Sequence, residues 1–300
     1  MNRINILITG ADGFIGSHLV ERLVELGHDV VVIDNLLRGN KIPLEVLSKI
    51  TFIHGDVRDQ TLVEHWVKDI DVIFHFAAVL GVDVVADQPV ETMDVEVIGT
   101  RNIVNAARMH KVKKILYAST SGIYSHSAIV QTALTEEVNV DPRTSYAMAK
   151  RYNEIYLASH YEESGIDCIA LRFFNVYGPH QDYRRMHPPF TSYLIKEVLA
   201  HNTPILYNLG DAKRDYIYIS DLLNYLNALM ELENFSTAGI VNLCSGSAYS
   251  AMEILKTLES ILGTKIDFIP GDPNDFWKKY SDLFDKMNNL NANRIRKEVN

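Results

Sequence analysis

INILITGADGFIGSHLVERLVELGHDVVVID, residues 4–34, is the stretch that decides the fold. It opens on a short Ile- and Leu-rich run, passes through three glycines, continues with helical spacing of apolar residues, and closes on a second β-branched run that ends in an acid. INILIT and DVVVID are nearly continuous in apolar character, as strands buried on both faces must be. FIGSHLVERLVELG between them has a helical period and ends on Gly27, where a helix terminus favours glycine. Strand, helix and strand at this spacing predict a β-α-β unit with a right-handed crossover.

The pattern repeats. ITFIHG, DVIFHF and KILYAS predict three more strands, and IDCIALRFF predicts a sixth. Two long helices are expected, from about Val90 to His110 and from about Ser145 to Ser164. Beyond the sixth strand the periodicity loosens. PHQDYRRMHPP reads as a loop, FTSYLIKEVLA as a helix, and ILYNL and DYIYI as a short strand pair. The polar tail from Asp272 is helix-prone and takes no place in this scheme. The predicted class is α/β, a Rossmann-type doubly wound parallel sheet with a smaller C-terminal α/β part. The expected division is residues 1–175 for nucleotide binding and residues 176–300 mainly for substrate, with some segments returning to the main sheet.

Composition narrows the partners. Of 300 residues, 47% are hydrophobic and 22% charged, which is ordinary for a globular chain with a real core. The net charge is −9 and no dense Lys/Arg cluster appears, which argues against a nucleic-acid partner. No run of about 18 apolar residues predicts a membrane span. The N-terminal residues enter a strand pattern at once, without a signal-peptide layout, and a cytoplasmic protein is expected. Cys168 and Cys244 lie in apolar stretches and read as small buried hydrophobes. Neither a disulfide framework nor a metal site is expected.

Gly10, Gly13 and Gly16 stand at the turn from the first strand into the first helix. Glycine permits a tight turn and close approach of a pyrophosphate, and the helix start offers free N–H groups and a positive dipole end. The second strand ends in Asp34, where an acid binds the ribose hydroxyls of a dinucleotide. That carboxylate repels a 2′-phosphate, so NAD is expected rather than NADP, with Arg38 close by as the contrary signal. Downstream, in PRTSYAMAK, Tyr146 and Lys150 are four apart and share a helix face. Tyrosine ionises near pH 10, so a neighbouring ammonium and a cationic nicotinamide are expected to lower that value before the phenol acts as a base.

These segments resemble, in order, the extended short-chain dehydrogenase/reductase family, in particular its nucleotide-sugar epimerases and dehydratases. The resemblance runs from residue 4 to about residue 272. It is carried by TGADGFIGSHL, DNLLRGN, GDVRD, HFAA, GTRNIVNAA, STSGIY, SYAMAK, LRFFNVYGP, RDYIYISDL and VNLCSGS. It implies cofactor contacts by the glycines with Phe14 and Ile15, by Asp34 and Asn35, by Asp56 and Val57 at the adenine, and by Phe76, Ala77 and Ala78 as a wall. His75 stands beside that wall and reads as a packed core residue. Thr120, Tyr146 and Lys150 are implied as the catalytic residues, with Tyr146 and Lys150 also touching the cofactor. Thr120, Ser121, Asn175 and Arg214 are implied on the substrate side, Arg214 as a phosphate ligand. A homodimer built on the two long helices is implied as well.

The family's dehydratases, decarboxylases and some 3,5-epimerases carry an acid, base or thiol two residues before the tyrosine of the hydroxyl motif. Here that residue is Gly122, preceded by Ser121. Elimination and proton shuffling need a second proton-transfer group, whereas oxidising an alcohol and returning the hydride needs one base and one donor. The resemblance therefore implies an NAD-dependent 4-epimerase of a nucleotide sugar, most like those acting on UDP-sugars. A dehydratase, decarboxylase or reductase on the same scaffold, and a non-catalytic NAD-binding protein, are the alternatives.

Three departures stand out. Glu96 occupies the place of Asn in the family's N-V-x-G-T pattern, a position expected to hold a strand and a helix together. Ile269 stands where an Arg commonly grips the diphosphate. Arg184 and Arg185 lie side by side after NVYGP, either as solvated surface residues or as a grip on the carboxylate of a UDP-uronate.

Overall fold

The computed structural model describes residues 3–79, 81–125, 133–233 and 239–272. Twelve strands are described: Asn5–Thr9 (β1), Asp29–Asp34 (β2), Thr51–His54 (β3), Val72–His75 (β4), Lys114–Thr120 (β5), Asp167–Phe173 (β6), Asn175–Tyr177 (β7), Ile205–Tyr207 (β8), Lys213–Tyr218 (β9), Gly239–Leu243 (β10), Ala248–Ser250 (β11) and Ile269–Gly271 (β12). The α-helices are Phe14–Glu25 (α1), Leu44–Leu47 (α2), Gln60–Val67 (α3), Val82–Asp87 (α4), Pro89–His110 (α5), Ser145–Ser164 (α6), Phe190–Leu199 (α7), Ile219–Glu231 (α8) and Ala251–Leu262 (α9). The chain divides into two compact units, Met1–Pro188 with Asp215–Ser247, and Pro189–Arg214 with Ala248–Asn300.

The first unit holds a seven-stranded sheet in the order β10-β6-β5-β4-β1-β2-β3, with every pairing parallel. Strand order reverses between β1 and β4, and a crevice opens at the carboxyl ends of strands at such a reversal. The pleat sends alternate residues to opposite faces. Ile6 and Ile8 join a core with Leu19, Leu23 and Leu222 on one face. Leu7, between them, joins Val63, Ile103 and Leu157 on the other. Both faces are apolar, which is why these strands read as unbroken hydrophobic runs.

Helix α1 ends as its sequence predicts. Gly27 takes φ +84°, its N–H bonds Val24 O at 3.0 Å, and the His28 N–H bonds Leu23 O at 3.1 Å. These are the two bonds of a Schellman terminus, and the αL residue in it is glycine for want of a Cβ. The long helices form at the expected places, with Thr144 capping α6 through a bond from the Ala147 N–H. The short strands at ILYNL and DYIYI form but do not pair with each other. β9 aligns in parallel with β7, and β8 with β12. Register in such three-residue strands depends on distant neighbours, which local periodicity does not encode. In the second unit, Leu194, Leu206, Leu255 and Ile266 form a small separate core.

A buried ion pair ties β5, β6 and α6 together. Arg172, 1% exposed, grips Glu154 through two bonds of 2.9 Å, and the Ser119 hydroxyl donates to the same carboxylate at 2.6 Å. Arg172 also donates to Tyr124, which in turn donates to Asn242. Burial works to raise the Glu154 pKa, but the bonds from Arg172 and then Ser119 outweigh it and hold the carboxyl below its ordinary 4.5. A depressed acid contributes stability that is full above its unfolded value and is lost as pH falls through the folded one. Arg172→Met is expected to cost about 3–5 kcal/mol in urea unfolding at neutral pH, because it leaves a buried carboxylate unpaired. Glu154→Gln should reduce the loss of stability seen in wild type as pH falls below about 4.5.

Candidate active site

Gly10 lies at the strand-order reversal, with φ +66° and its N–H on Ile33 O at 2.9 Å. A Cβ there would stand 2.6 Å from Ala77 N, and one on Gly16 would stand 2.6 Å from Ala11 Cα and Gly10 O. Both positions therefore exclude any side chain, and the loop lies flat on the ends of β1 and β4. Gly13 caps α1 from its backbone alone, and the first turn of α1 carries no acid, which leaves its N–H groups and positive dipole end to an anion.

The Asp34 carboxylate accepts from the Asp12 N–H at 2.8 Å and the Leu36 N–H at 2.7 Å. It thus holds the glycine loop while keeping lone pairs for further donors. Burial pushes its pKa up, against those two bonds. Asn35 is exposed beside it and accepts from the Leu37 N–H at 3.1 Å. Asp56 is engaged by Arg58 at 2.7 Å, which holds its pKa low. Val57 is 4% exposed and packs against Gly99, so its side chain is part of the core. Phe76 sits edge-on between Phe74 and Phe173, with Ala77 and Ala78 half-buried after it.

Thr9 was not singled out in the sequence, and it organises this wall. Its hydroxyl accepts from the Ala77 N–H at 3.1 Å and meets His75 Nδ1 at 2.7 Å, while His75 Nε2 meets Thr100 Oγ1 at 3.1 Å. Burial, aided by the charge of Lys150, pushes His75 down to about 3. It is therefore a neutral structural residue, as its place in the sequence suggests. A lone hydroxyl ending a strand of Ile and Leu was the available signal for Thr9.

At the end of β5, Thr120 Oγ1 accepts from the Gly122 N–H at 3.1 Å, and Ser121 starts the following short turn. α6 brings Tyr146 and Lys150 alongside, and Thr120 is near enough to Tyr146 to favour its phenolate. Lys150 Nζ lies 5.4 Å from the Tyr146 ring centroid and 4.6 Å from that of Tyr117. The three residues expected to carry the chemistry are thus brought together. A Cβ at Gly122 would be 3.3 Å from Thr120 Oγ1, so any side chain there would crowd that hydroxyl.

The expected lowering of the Tyr146 pKa is not found. It is raised, by burial first and the charge of Glu96 second, with the Thr120 bond working the other way. Burial is the larger cause, and the second is the partner of Lys150. Glu96, fully buried on α5, lies 2.9 Å from Lys150 Nζ, itself 1% exposed. Burial pushes the lysine down and the glutamate up, and each opposes the other's shift. Position 96 thus does more than pin a helix: it offsets the cation beside the tyrosine.

The expected substrate residues have separate local partners. Asn175 is exposed and donates to Asp215 O at 2.7 Å. Arg184 lies over the Tyr183 ring at 5.3 Å, and Arg185 is 3.9 Å from Asp182. Arg214 is in the second unit and donates to Lys213 O. Cys168 is a buried thiol pushed up to about 12 by burial, and it and Cys244 are unpaired. Among the described residues, His18, Glu21 and His180 cluster with donor atoms within 4.8 Å. Their imidazoles stack at 4.7 Å and 17°, and the in-plane lone pairs of near-parallel rings do not converge on one ion.

Residues 6–244 match the model of the NAD dependent epimerase/dehydratase family. The chain belongs to that family. This family member is 34% identical over 278 residues to a UDP-glucose 4-epimerase of Halalkalibacterium halodurans, covering 87% of this chain and 81% of that one. It is 32% identical to a UDP-N-acetyl-alpha-D-glucosaminuronate decarboxylase of Bacillus cytotoxicus, covering 94% and 87%. The crystal structure of a Thermus thermophilus UDP-glucose 4-epimerase complexed with NAD superposes with a TM-score of 0.77 at 31% identity, covering 90% of this chain and 87% of that one.

NAD is the family's cofactor, and the residues present fit it. The glycine cradle admits no side chain, the start of α1 is uncapped by any side chain, and Lys150 Nζ and Glu96 Oε1 are buried with no aligned hydrogen-bond partner. Asp34→Ala is expected to weaken NAD binding about ten- to a hundredfold in calorimetric titration, the worth of charged hydrogen bonds lost from both ribose and loop.

Proposed function

We propose that this protein is an NAD-dependent nucleotide-sugar 4-epimerase acting on a UDP-hexose or UDP-uronate through a 4-keto intermediate. The observation that carries this reading is the end of β5. Thr120, Tyr146 and Lys150 converge there, and Gly122 leaves the space over Thr120 without an acid or base. NAD, when bound, supplies the hydride acceptor and donor for C4 of the sugar. Tyr146 takes the proton from the sugar O4 and gives it back. Thr120 orients that oxygen by hydrogen bonding to it. Lys150 holds the ribose hydroxyls. The glycine loop and Asp34 fix the nucleotide, and Asn175 and Arg214 meet the substrate diphosphate. Residues 176–300 serve mainly the substrate, with some segments returning to the main sheet. The relation to a UDP-glucose 4-epimerase supports the sugar class. The relation to a uronate decarboxylase keeps a carboxylated sugar in view, with Arg184 or Arg185 as its partner.

The reading carries a homodimer with it. α5 and α6 pack against each other, and α6 exposes Met148, Tyr152 and Ile155, which at i, i+4 and i+7 share one helix face. An apolar patch of this kind suits a second copy of the same helix pair. A cytoplasmic setting accords with the two unpaired thiols.

Proton NMR of the purified protein with UDP-glucose, UDP-N-acetylglucosamine and UDP-glucuronate, each separately and with NAD present, is the deciding test. The matching 4-epimer is expected to appear without net oxidation. Loss of the 6-carboxyl or appearance of a 4-keto-6-deoxy sugar would replace the reading with a decarboxylase or dehydratase. Tyr146→Phe should lower turnover by at least about a hundredfold, the usual contribution of a positioned acid–base, while leaving NAD affinity within about twofold. Light scattering should give twice the chain mass for wild type, and Tyr152→Glu with Ile155→Glu should halve it.

A further inference from the structure

Glu96 stands where the matching pattern has a neutral amide, and the structure gives the substitution a consequence. Glu96 is fully buried and has three neighbours of note. Lys150 Nζ approaches Oε2 at 2.9 Å, the Tyr117 hydroxyl donates to the same oxygen at 3.1 Å, and the main-chain O of Glu96 accepts from Asn153 at 3.0 Å. Asn153 also donates to Thr100 and to the Tyr117 hydroxyl. The charged and titratable groups around the pair come from three elements besides α5. α6 brings Lys150, Tyr146 and, acting on Lys150, Glu154. β5 brings Tyr117, a phenol that burial keeps protonated. β4 brings His75, which is neutral and occupied by Thr9 and Thr100.

A phenol becomes a base near neutrality when a cation beside it stabilises the phenolate. Lys150 brings that cation, and Glu96 places an opposite charge directly against it. From Tyr146 the two look like a dipole, whose field falls off faster than that of a lone ammonium. An amide at position 96 would leave the ammonium's field whole.

We propose that Glu96 is a positioning residue that sets the pH range of the Tyr146 base: its carboxylate fixes Lys150 Nζ and cancels part of that ammonium's field at the Tyr146 hydroxyl, so that proton transfer runs at higher pH than an amide at 96 would give. This rests on reading Tyr146 as the base of the proposed reaction.

The test is Glu96→Gln in the full-length, NAD-loaded protein. Ionisation of Tyr146 is read as tyrosinate absorbance against Tyr146→Phe, and, independently, the acid limb of the kcat profile for UDP-sugar epimerisation is recorded. Both midpoints are expected to fall together by about one to three pH units, the usual effect of removing a like charge near the phenolate. Glu96→Asp, which keeps the charge, should stay near wild type, an outcome that a purely structural role would not produce. A folded Glu96→Gln protein with an unmoved Tyr146 midpoint would overturn the proposal. A shifted midpoint without turnover of any sugar would uphold it and remove the epimerase reading instead. Should Glu96→Gln not fold, Glu96→Asn serves the same comparison.

Discussion

The whole arrangement depends on one close approach. Gly10 lies so near the backbone of Phe76 and Ala77 that not even a methyl group fits between them. That contact sits where the strand order turns back between β1 and β4. With the loop pressed flat, the start of α1 faces the crevice at the reversal and its uncapped N–H groups become a ready anion site. Asp34, one strand over, reaches back to the Asp12 N–H and fixes the loop's far side. The geometry of the glycine loop therefore follows from a steric constraint on one residue, and the rest of the parallel sheet holds that residue in register.

A second constraint is polar and buried. Two networks lie between α6 and the sheet, one joining Glu154, Arg172, Ser119 and Tyr124, the other Glu96, Lys150, Tyr117, Asn153 and Thr100. Buried charges seldom add net stability over apolar packing of the same shape, yet breaking one partner is costly. Their effect here is positional. The first network clamps Ser119, which fixes the neighbouring Thr120; the second sets the height of Lys150 beside Tyr146. Two hydroxyl groups and an ammonium must converge from a strand end and a helix, and side chains with free rotamers would not keep them there.

Much of this was legible in the sequence because it is local. The alternation of apolar runs, the glycines after β1, the acid ending β2 and the i, i+4 spacing of Tyr146 and Lys150 each depend on neighbours a few residues away. What was not legible is non-local. β8 and β9 were visible as strands, but their partners, β12 and β7, are chosen by the path of the chain. The hydroxyl of Thr9 gains meaning from His75 and Ala77, some 66 and 68 positions on. Glu96 could be seen to depart from a pattern, yet only the approach of α5 to α6 reveals that it faces Lys150.

The charge count around Tyr146 then takes on a mechanistic sense. In the chain itself, one cation and one anion stand next to the phenol, and burial keeps the phenol protonated. Neither Lys150 nor Thr120 alone overturns that. An oxidised nicotinamide, if held beside Tyr146 as proposed, would add the positive charge that tips the balance. A base that forms only beside a loaded cofactor cannot remove a proton when there is nowhere for the hydride to go. By this reasoning Glu96 does not weaken Lys150; it would make the basicity of the proposed Tyr146 base conditional on the partner it must act with.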